Sequence, residues 1–267
     1  MKKSKKIFLY STLAVITPLS IGSLALSCAC NGEKSNAFAQ NYIIENNSFF
    51  NKETGTLDLS KEKITAIPDG AFAKRTLELF KTSKEIRVID FEKTPIKHII
   101  LPETLTSIGK AAFESLELES ITFSNPTDVE VTIDKKAFYD NKLKSIDFGE
   151  RKFILKDLAF AENELTSVTL NVSINSLAYG VFSGNKLTTI DLTHVKSINS
   201  LALAGNKIAK LTLPAELIAS NFDFLDKQKL SSPETKVNLT INNATLKETF
   251  KKELQTNPDK YNWTITE

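Results

Sequence analysis

The chain has little of what most catalytic and metal sites are built from. Its 267 residues include two cysteines, two histidines, one tryptophan and nine glycines. So few thiols and imidazoles leave little material for a structural metal site or for a Cys–His nucleophile. The glycines form no phosphate-binding loop motif. We therefore expect no cofactor, no metal and no catalytic residue.

An excess of charge of one sign is also missing. The chain has 34 Lys and Arg against 32 Asp and Glu, a formal net charge of +2. Binding to nucleic acid requires a basic stripe rather than a near-neutral total, so nucleic acid is not an expected partner. Hydrophobic residues at 41% and charged residues at 25% are ordinary for a globular chain, which excludes wholesale disorder.

The N-terminus has the features of an export signal. A cationic patch is followed by an apolar run from Ile7 to Leu26, which are the n-region and h-region of a signal peptide. The run ends in Ala25-Leu26-Ser27-Cys28. Small residues before a cysteine resemble the lipobox of bacterial lipoproteins, although Ala25 stands where leucine is usual. The resemblance implies that 1–27 is a lipoprotein signal peptide and that Cys28 is lipidated.

An uncleaved signal anchor is the alternative, because twenty mostly apolar residues are just long enough to span a bilayer. Both interpretations place the remainder on the extracellular face of the cell membrane, held there by a lipid or by the signal itself. Cleavage would remove four lysines and no acidic residue, which leaves the exported part slightly acidic. Cys30 is either the site of an intermolecular bridge or a passive neighbour of the anchor.

Residues 28–51 are polar and predict a lipid-anchored spacer. It contains several asparagines together with Gly32 and Ser35. Its second half contains five apolar residues that we expect to pack on the following domain: Tyr42, Ile43, Ile44, Phe49 and Phe50.

The body of the chain is a repeat. A Leu-x-x-Leu-x-Leu pattern that admits Ile, Val and Phe occurs six times, with steps of 22, 25, 22, 22 and 21 residues. The copies start at Ile96, Leu118, Leu143, Leu165, Leu187 and Ile208. Self-similarity at such a period predicts a stack of short units, none of which can bury its apolar side alone.

Two further markers keep the same period. One is a phenylalanine, at Phe72, Phe113, Phe138, Phe160 and Phe182, with Leu203 in the sixth place. The other is an asparagine three residues later, at Asn141, Asn163, Asn185 and Asn206. We predict a strand, a turn, a second extended piece that carries the phenylalanine, and a turn built on the asparagine. The alternative for the asparagine column is a row of ligands.

These residues resemble the BspA-like class of leucine-rich repeat. The fullest copy runs Ile96-Lys-His-Ile99-Ile-Leu101-Pro-Glu-Thr-Leu105-Thr-Ser-Ile108-Gly-Lys-Ala-Ala-Phe113. The resemblance, together with the lipobox, extends to mycoplasma-type surface lipoproteins. It implies a mainly β, leucine-rich-repeat solenoid over 52–214, often linked to adhesion. The family supplies no catalytic residue to carry over.

The two ends of the repeat region depart from the pattern. Residues 73–95 contain helical spacing and then a strand pattern at Ile86 to Phe91, which predicts an insertion within the first coils. After Pro214 we expect the repeat to stop. Residues 215–267 predict a small α+β capping segment of strand, helix and strand, with Thr245 and Glu248 at capping-box spacing.

The outward positions of the repeated strands predict a polar face, because side chains alternate about a sheet. We expect this face to bind a protein or a glycan, and the alternative is a structural or antigenic coat without a ligand. Its candidate residues are Lys97, His98, Thr122, Lys144, Asp147, Thr169, Asp191 and Thr212.

A hydrolase is a third and disfavoured interpretation. Asp147 and Asp191 lie two coils apart, at about 9–10 Å by strand spacing, which suits an inverting glycosidase pair. An open sheet, however, offers no pocket that would raise one carboxyl pKa. His98 and His194 belong to different coils and to no nucleophile motif.

Overall fold

A computed structural model describes residues 37–45, 47–80, 95–124, 128–232 and 235–266. This part of the chain forms a mainly β solenoid of about six turns with a small helix-plus-strand cap, as predicted. Most coils contribute two short strands. The first strands of the coils are β2 (Thr56–Asp58), β4 (His98–Leu101), β6 (Ser120–Phe123), β8 (Ser145–Asp147), β10 (Ser167–Thr169), β13 (Lys210–Leu213) and β15 (Val237–Ile241).

The second strands have two or three residues each and correspond to the predicted second extended piece. They are β3 (Ala66–Ile67), β5 (Ser107–Ile108), β7 (Val131–Ile133), β9 (Phe153–Leu155), β11 (Ser176–Leu177), β12 (Ser197–Ile198) and β14 (Ala219–Ser220). The remaining strands are β1 (Phe50–Asn51) and β16 (Trp263–Ile265), and two α-helices are α1 (Lys74–Phe80) and α2 (Ala244–Thr256).

The first strands stack in parallel and in phase with the repeat. Leu57 lies opposite Ile99, and Ile99 lies opposite Ile121. In β13 the residues alternate between exposed and buried, which is the expected consequence of Leu-x-x-Leu-x-Leu on a pleated strand. The leucine positions therefore form one side of a continuous core.

The phenylalanines form a buried stack along the solenoid axis. Ring centroids lie 5.2 Å apart for Phe72 and Phe113, 5.1 Å for Phe113 and Phe138, and 5.2 Å for Phe138 and Phe160, and each pair is nearly coplanar in orientation. Phe182 continues the stack at 5.9 Å. The prediction that the phenylalanine lies on an extended piece is wrong, because each one lies in the turn after the second strand.

That turn reverses the chain with two left-handed residues around each phenylalanine in the central coils. Lys136 and Asp140, with φ of 58° and 57°, flank Phe138. In the coil of Phe182 both places are taken by glycine, Gly180 and Gly184, which adopt this backbone conformation without the Cβ clash. The tight reversal brings the phenylalanine inward in every coil.

The segment before the first coil packs on the solenoid as expected. Residues 37–40 are helical and lead into a π-helical turn, Asn41–Glu45, and a 3-10 turn, Asn47–Phe49. Tyr42, Ile43 and Phe50 are buried, and the Phe38 ring lies 5.8 Å from Phe72 at the end of the stack. The side chain of Ile44 lies outside the described set.

The predicted insertion interrupts the first coil. Thr56 of β2 lies opposite His98 of β4, 42 residues later, whereas His98 lies opposite Ser120 after only 22 residues. The first coil is therefore about twenty residues longer than the next. Helix α1 lies in this insertion, as its helical spacing predicts. The strand pattern at 86–91 falls outside the described residues.

The repeat does not stop after Pro214, contrary to the prediction. β14 pairs in parallel with β12, and Leu225 occupies the place of Phe182 and Leu203. Gln228 takes the place of the asparagine. Its side chain accepts a hydrogen bond from the backbone N–H of Ile208, the first residue of the last Leu-x-x-Leu-x-Leu copy, and donates one to the Leu203 carbonyl. One further coil therefore precedes the cap.

The cap continues the first-strand sheet. β15 pairs with β13 and β16 pairs with β15, both in parallel. Helix α2 begins at Asn243, whose side chain accepts from the Leu246 N–H, so the predicted Thr245–Glu248 capping box is wrong. Trp263 is fully buried and donates its indole N–H to the Phe222 carbonyl at 2.7 Å.

Candidate functional site

The outward side chains of the first strands form the candidate surface, here called the first-strand face. All eight predicted residues lie on it: Thr122, Lys144, Asp147, Thr169, Asp191 and Thr212 are exposed, and Lys97 and His98 are half-buried. Their side chains are therefore accessible to solvent to different degrees. That this face binds a partner stays a prediction.

The first end of the face holds a small polar cluster. Nδ1 of His98 lies 2.8 Å from Oγ of Ser120 in the next coil, and Lys97 pairs with Glu119 at 3.0 Å. The side chains of both residues keep substantial contact with solvent, at 44% and 36% exposure, so the pair contributes little stability. His194 lies exposed in a later coil and takes no part in this cluster.

The middle of the face alternates hydroxyl and carboxylate groups. Asp147 lies directly opposite Thr169 in the parallel ladder of β8 and β10. Asp147 accepts the Gly149 N–H at 2.9 Å, which holds its carboxylate close to the backbone. A threonine between successive aspartates keeps like charges apart on neighbouring strands.

The ladder of the first-strand face is interrupted at 188–192. These residues form no assigned strand, whereas the matching residues of the coils before and after form β10 and β13. Within the described residues, none of the N–H groups of 188–192 donates to a backbone carbonyl. The backbone of this stretch therefore keeps free hydrogen-bonding groups beside the exposed side chains of the face.

A depression of about 400 Å³ lies at this interruption. Its polar lining consists of four threonines, one aspartate and one lysine, namely Thr189, Asp191, Thr193, Lys210, Thr212 and Thr240. Only Asp191 and Thr212 of these belong to the predicted site. Thr240 was assigned to the cap, yet its strand Val237–Ile241 repeats the alternation of β13 and places Thr240 opposite Thr212.

The Asp191 carboxylate is held by its own turn. Its Oδ1 accepts the Thr193 N–H at 2.9 Å and the Thr193 hydroxyl at 2.5 Å. These two hydrogen bonds lower the pKa of Asp191 below its ordinary value, so the group is ionised at neutral pH. No other partner of this carboxylate is found in the described part of the chain.

The asparagine column has a structural role. Asn163 is buried, accepts the Leu143 N–H, and donates to the carbonyls of Phe138, Phe160 and Ala161. Asn185 makes the same set of bonds one coil later. Their amides serve the turn and are not available to a ligand, which confirms the turn interpretation.

The geometry offers little for hydrolysis. A general acid needs a carboxyl with a raised pKa, and the pKa of Asp191 is lowered by Thr193. The described residues contain no group of three or more His, Cys, Asp and Glu side chains suited to a metal ion. None of their helices is long and apolar enough to span a bilayer.

Comparison with known families agrees with this architecture. A BspA type leucine-rich repeat region of six copies matches residues 19–131, 84–209 and 131–253. No curated protein matches the chain significantly. Solenoids of this kind are typically binding scaffolds without catalysis, and their extended surfaces are the parts that contact other molecules.

Proposed function

Because the chain belongs to the BspA-type leucine-rich repeat family, we propose that it is a non-catalytic surface protein whose first-strand face binds a protein or glycan partner. One observation carries the proposal: the outward residues of successive coils are exposed, polar and held in register by the parallel ladder. A rigid row of this kind presents many hydrogen-bonding groups without ordering cost at binding.

The proposal includes attachment of the protein to the outer face of the cell membrane through a diacylglyceryl group on Cys28. The cationic patch, the apolar run and the small residues before Cys28 support it. Acyl labelling and globomycin-sensitive processing test it directly. Both are expected in the wild type and lost in Cys28→Ser, and processing that persists in Cys28→Ser would contradict the lipid anchor.

The role of the face is tested by reversing its charge. A variant with Asp147, Thr169 and Asp191 all changed to Lys is compared with the wild type for binding to surface proteins and glycans of neighbouring or host cells. The matched control changes Glu248, Thr249 and Asp259 to Lys on the cap, which are exposed and give the same change in charge. Loss of binding only in the first variant supports the face, and equal binding by both removes it.

A coat protein without a specific ligand is the second candidate. It is favoured by the composition of the face, whose predicted residues are hydroxyl, charged and imidazole side chains, whereas binding hot spots are enriched in Trp, Tyr and Arg. Absence of any partner for the wild type and both charge variants, with the chain folded and on the cell surface, would establish this role.

A further inference from the structure

We propose that the depression at Asp191 binds a neutral hexose unit of a glycan. The proposal rests on the proposed function, since it names the ligand class for one place on the first-strand face. The first argument is size. About 400 Å³ lies within the range of about 300–1,000 Å³ found for small-ligand sites.

The second argument is the chemistry of the lining. Four threonines line the depression together with Asp191 and Lys210, so its lining includes hydroxyl, carboxylate and ammonium side chains. A hydroxyl donates and accepts, and a carboxylate accepts from two donors. Adjacent hydroxyls of a sugar ring present the complementary arrangement of donors and acceptors at short spacing. A peptide side chain offers at most one such hydroxyl.

The third argument concerns charge. Asp191 and Lys210 both line the depression and have opposite signs. They leave the site close to neutral, which favours an uncharged sugar over a uronic acid or an amine. The hydrogen bonds of Thr193 lower the pKa of Asp191, so its carboxylate carries its negative charge at neutral pH.

The fourth argument is that the site is preorganised and unsatisfied. Thr193 fixes one oxygen of Asp191 through two hydrogen bonds. The adjoining backbone of 188–192 makes no ladder bonds from its N–H groups within the described chain. Fixed polar groups without protein partners bind a hydroxylated ligand at little cost in ordering.

Affinity for one sugar unit should be weak, because the depression is open and its lining lacks an aromatic ring. We expect a Kd in the millimolar range for one ring. Many copies on a cell surface would raise the apparent affinity for a polymeric glycan by about 10²–10⁴.

The test uses the full chain in lipid vesicles, so that copies are presented together. The probes are surfaces coated with neutral oligosaccharides of glucose, galactose, mannose or N-acetylglucosamine, with free methyl glycosides as competitors. Asp191→Asn and Thr212→Val are each expected to weaken binding about tenfold, since each removes a hydrogen bond or charge at the ligand.

Asp259→Asn and Thr249→Val are the matched controls. They make the same side-chain changes at exposed positions of the cap, and neither residue lines the depression. Binding by both should equal the wild type within about twofold. An equal loss in all four variants, or binding to acidic glycans alone, would overturn the proposal.

Failure of this inference is distinguishable from failure of the proposed function. If the chain binds a protein partner in a manner that the triple lysine variant abolishes, but binds no neutral glycan, the glycan site is wrong and the binding face stands. If the folded chain binds neither class of molecule, both are wrong.

Discussion

Two surfaces of the same coils differ in how regularly the contacts between neighbouring coils repeat. One is the Phe–Asn edge, formed by the stacked phenylalanines with Leu203 and Leu225 and by the asparagine column with Gln228. The other is the first-strand face. From Phe113 to Gln228 the edge repeats its buried contacts and amide bonds in coil after coil. Over the same length, the ladder of backbone hydrogen bonds on the face is interrupted twice.

The two changes in the ladder are not equivalent. Strands β6 and β8 belong to different sheets, yet Arg151 reaches back across that boundary. Its buried guanidinium donates to the carbonyls of Pro102, Glu103 and Leu105. At 188–192 the described structure shows no such bridge, and the depression lies there instead.

The edge stabilises the stack of coils, whereas the candidate binding site lies on the first-strand face. Because a solenoid is held by contacts between neighbouring coils, a continuous edge is enough to keep the coils in register. The opposite side can then lose ladder bonds locally without disordering the stack. Polar groups that are released in this way become available to a ligand.

The largest expected effect comes from breaking the stack in the middle. Phe138→Ala removes a ring that lies between Phe113 and Phe160. We expect the free energy of unfolding to fall by about 3–5 kcal/mol, measured by urea denaturation. Phe138→Leu is the control, because Leu203 and Leu225 fill this place in other coils, and its loss should be clearly smaller. Equal losses of unfolding free energy in the two variants would show that filling this place does not stabilise the stack.

Removing one amide of the same edge should cost less. Asn163→Ala leaves the Leu143 N–H and three buried carbonyls without their side-chain partner. Stability should fall by about 1–3 kcal/mol. Asn238→Ala, at an exposed position of β15, should stay within about 0.5 kcal/mol of the wild type. A similar small change for both would show that water replaces the Asn163 amide.

Hydrogen exchange sharpens the comparison on the face itself. Backbone amides in 188–192 should exchange at least about tenfold faster than those in β10, which belong to a paired ladder. Mass spectrometry of peptides covering the two stretches gives the measurement. Equal protection would mean that the ladder closes in solution and that the depression is not open.

The smallest effect concerns the N-terminal end of the stack, where Tyr42 packs. Burial, and then the charge and hydrogen bond of Glu62, raise the pKa of Tyr42 to about 12. Above about pH 10 the unfolded chain releases this proton before the folded chain does, so stability falls as the pH rises towards 12. Tyr42→Phe should flatten this dependence in urea titrations. If stability depends on pH as steeply in Tyr42→Phe as in the wild type, a group other than Tyr42 causes the dependence.

The repeated coils were predictable because their signals are local. A leucine pattern and a phenylalanine at a fixed distance each describe one coil and recur in the next. The last coil was missed because Leu225 and Gln228 keep the packing and the amide chemistry while changing the residue types. The second extended piece of each coil was predictable, but its bounds were not, because two or three residues, such as Ser107–Ile108, are too short to show alternation.

The depression was not predictable from residue types. Leu187-Thr-Thr-Ile-Asp-Leu192 matches the pattern of its neighbours at every apolar position, and only the hydrogen bonds between coils distinguish it. Thr193 and Thr240 complete the lining from outside that pattern. Arg151 likewise contacts a turn almost fifty residues away, a distance that no periodicity reports.

The packing of residues 37–50 against the first coil sets the length of the tether. If Cys28 carries the proposed lipid, only nine residue steps separate it from Ala37, a reach of about 30 Å at most. The first coil is then confined near the bilayer, while Asp191 lies five coil steps further along, about 24 Å at strand spacing. The distance of the depression from the first coil is therefore fixed by the stack of coils and does not depend on the length of the chain before Ala37.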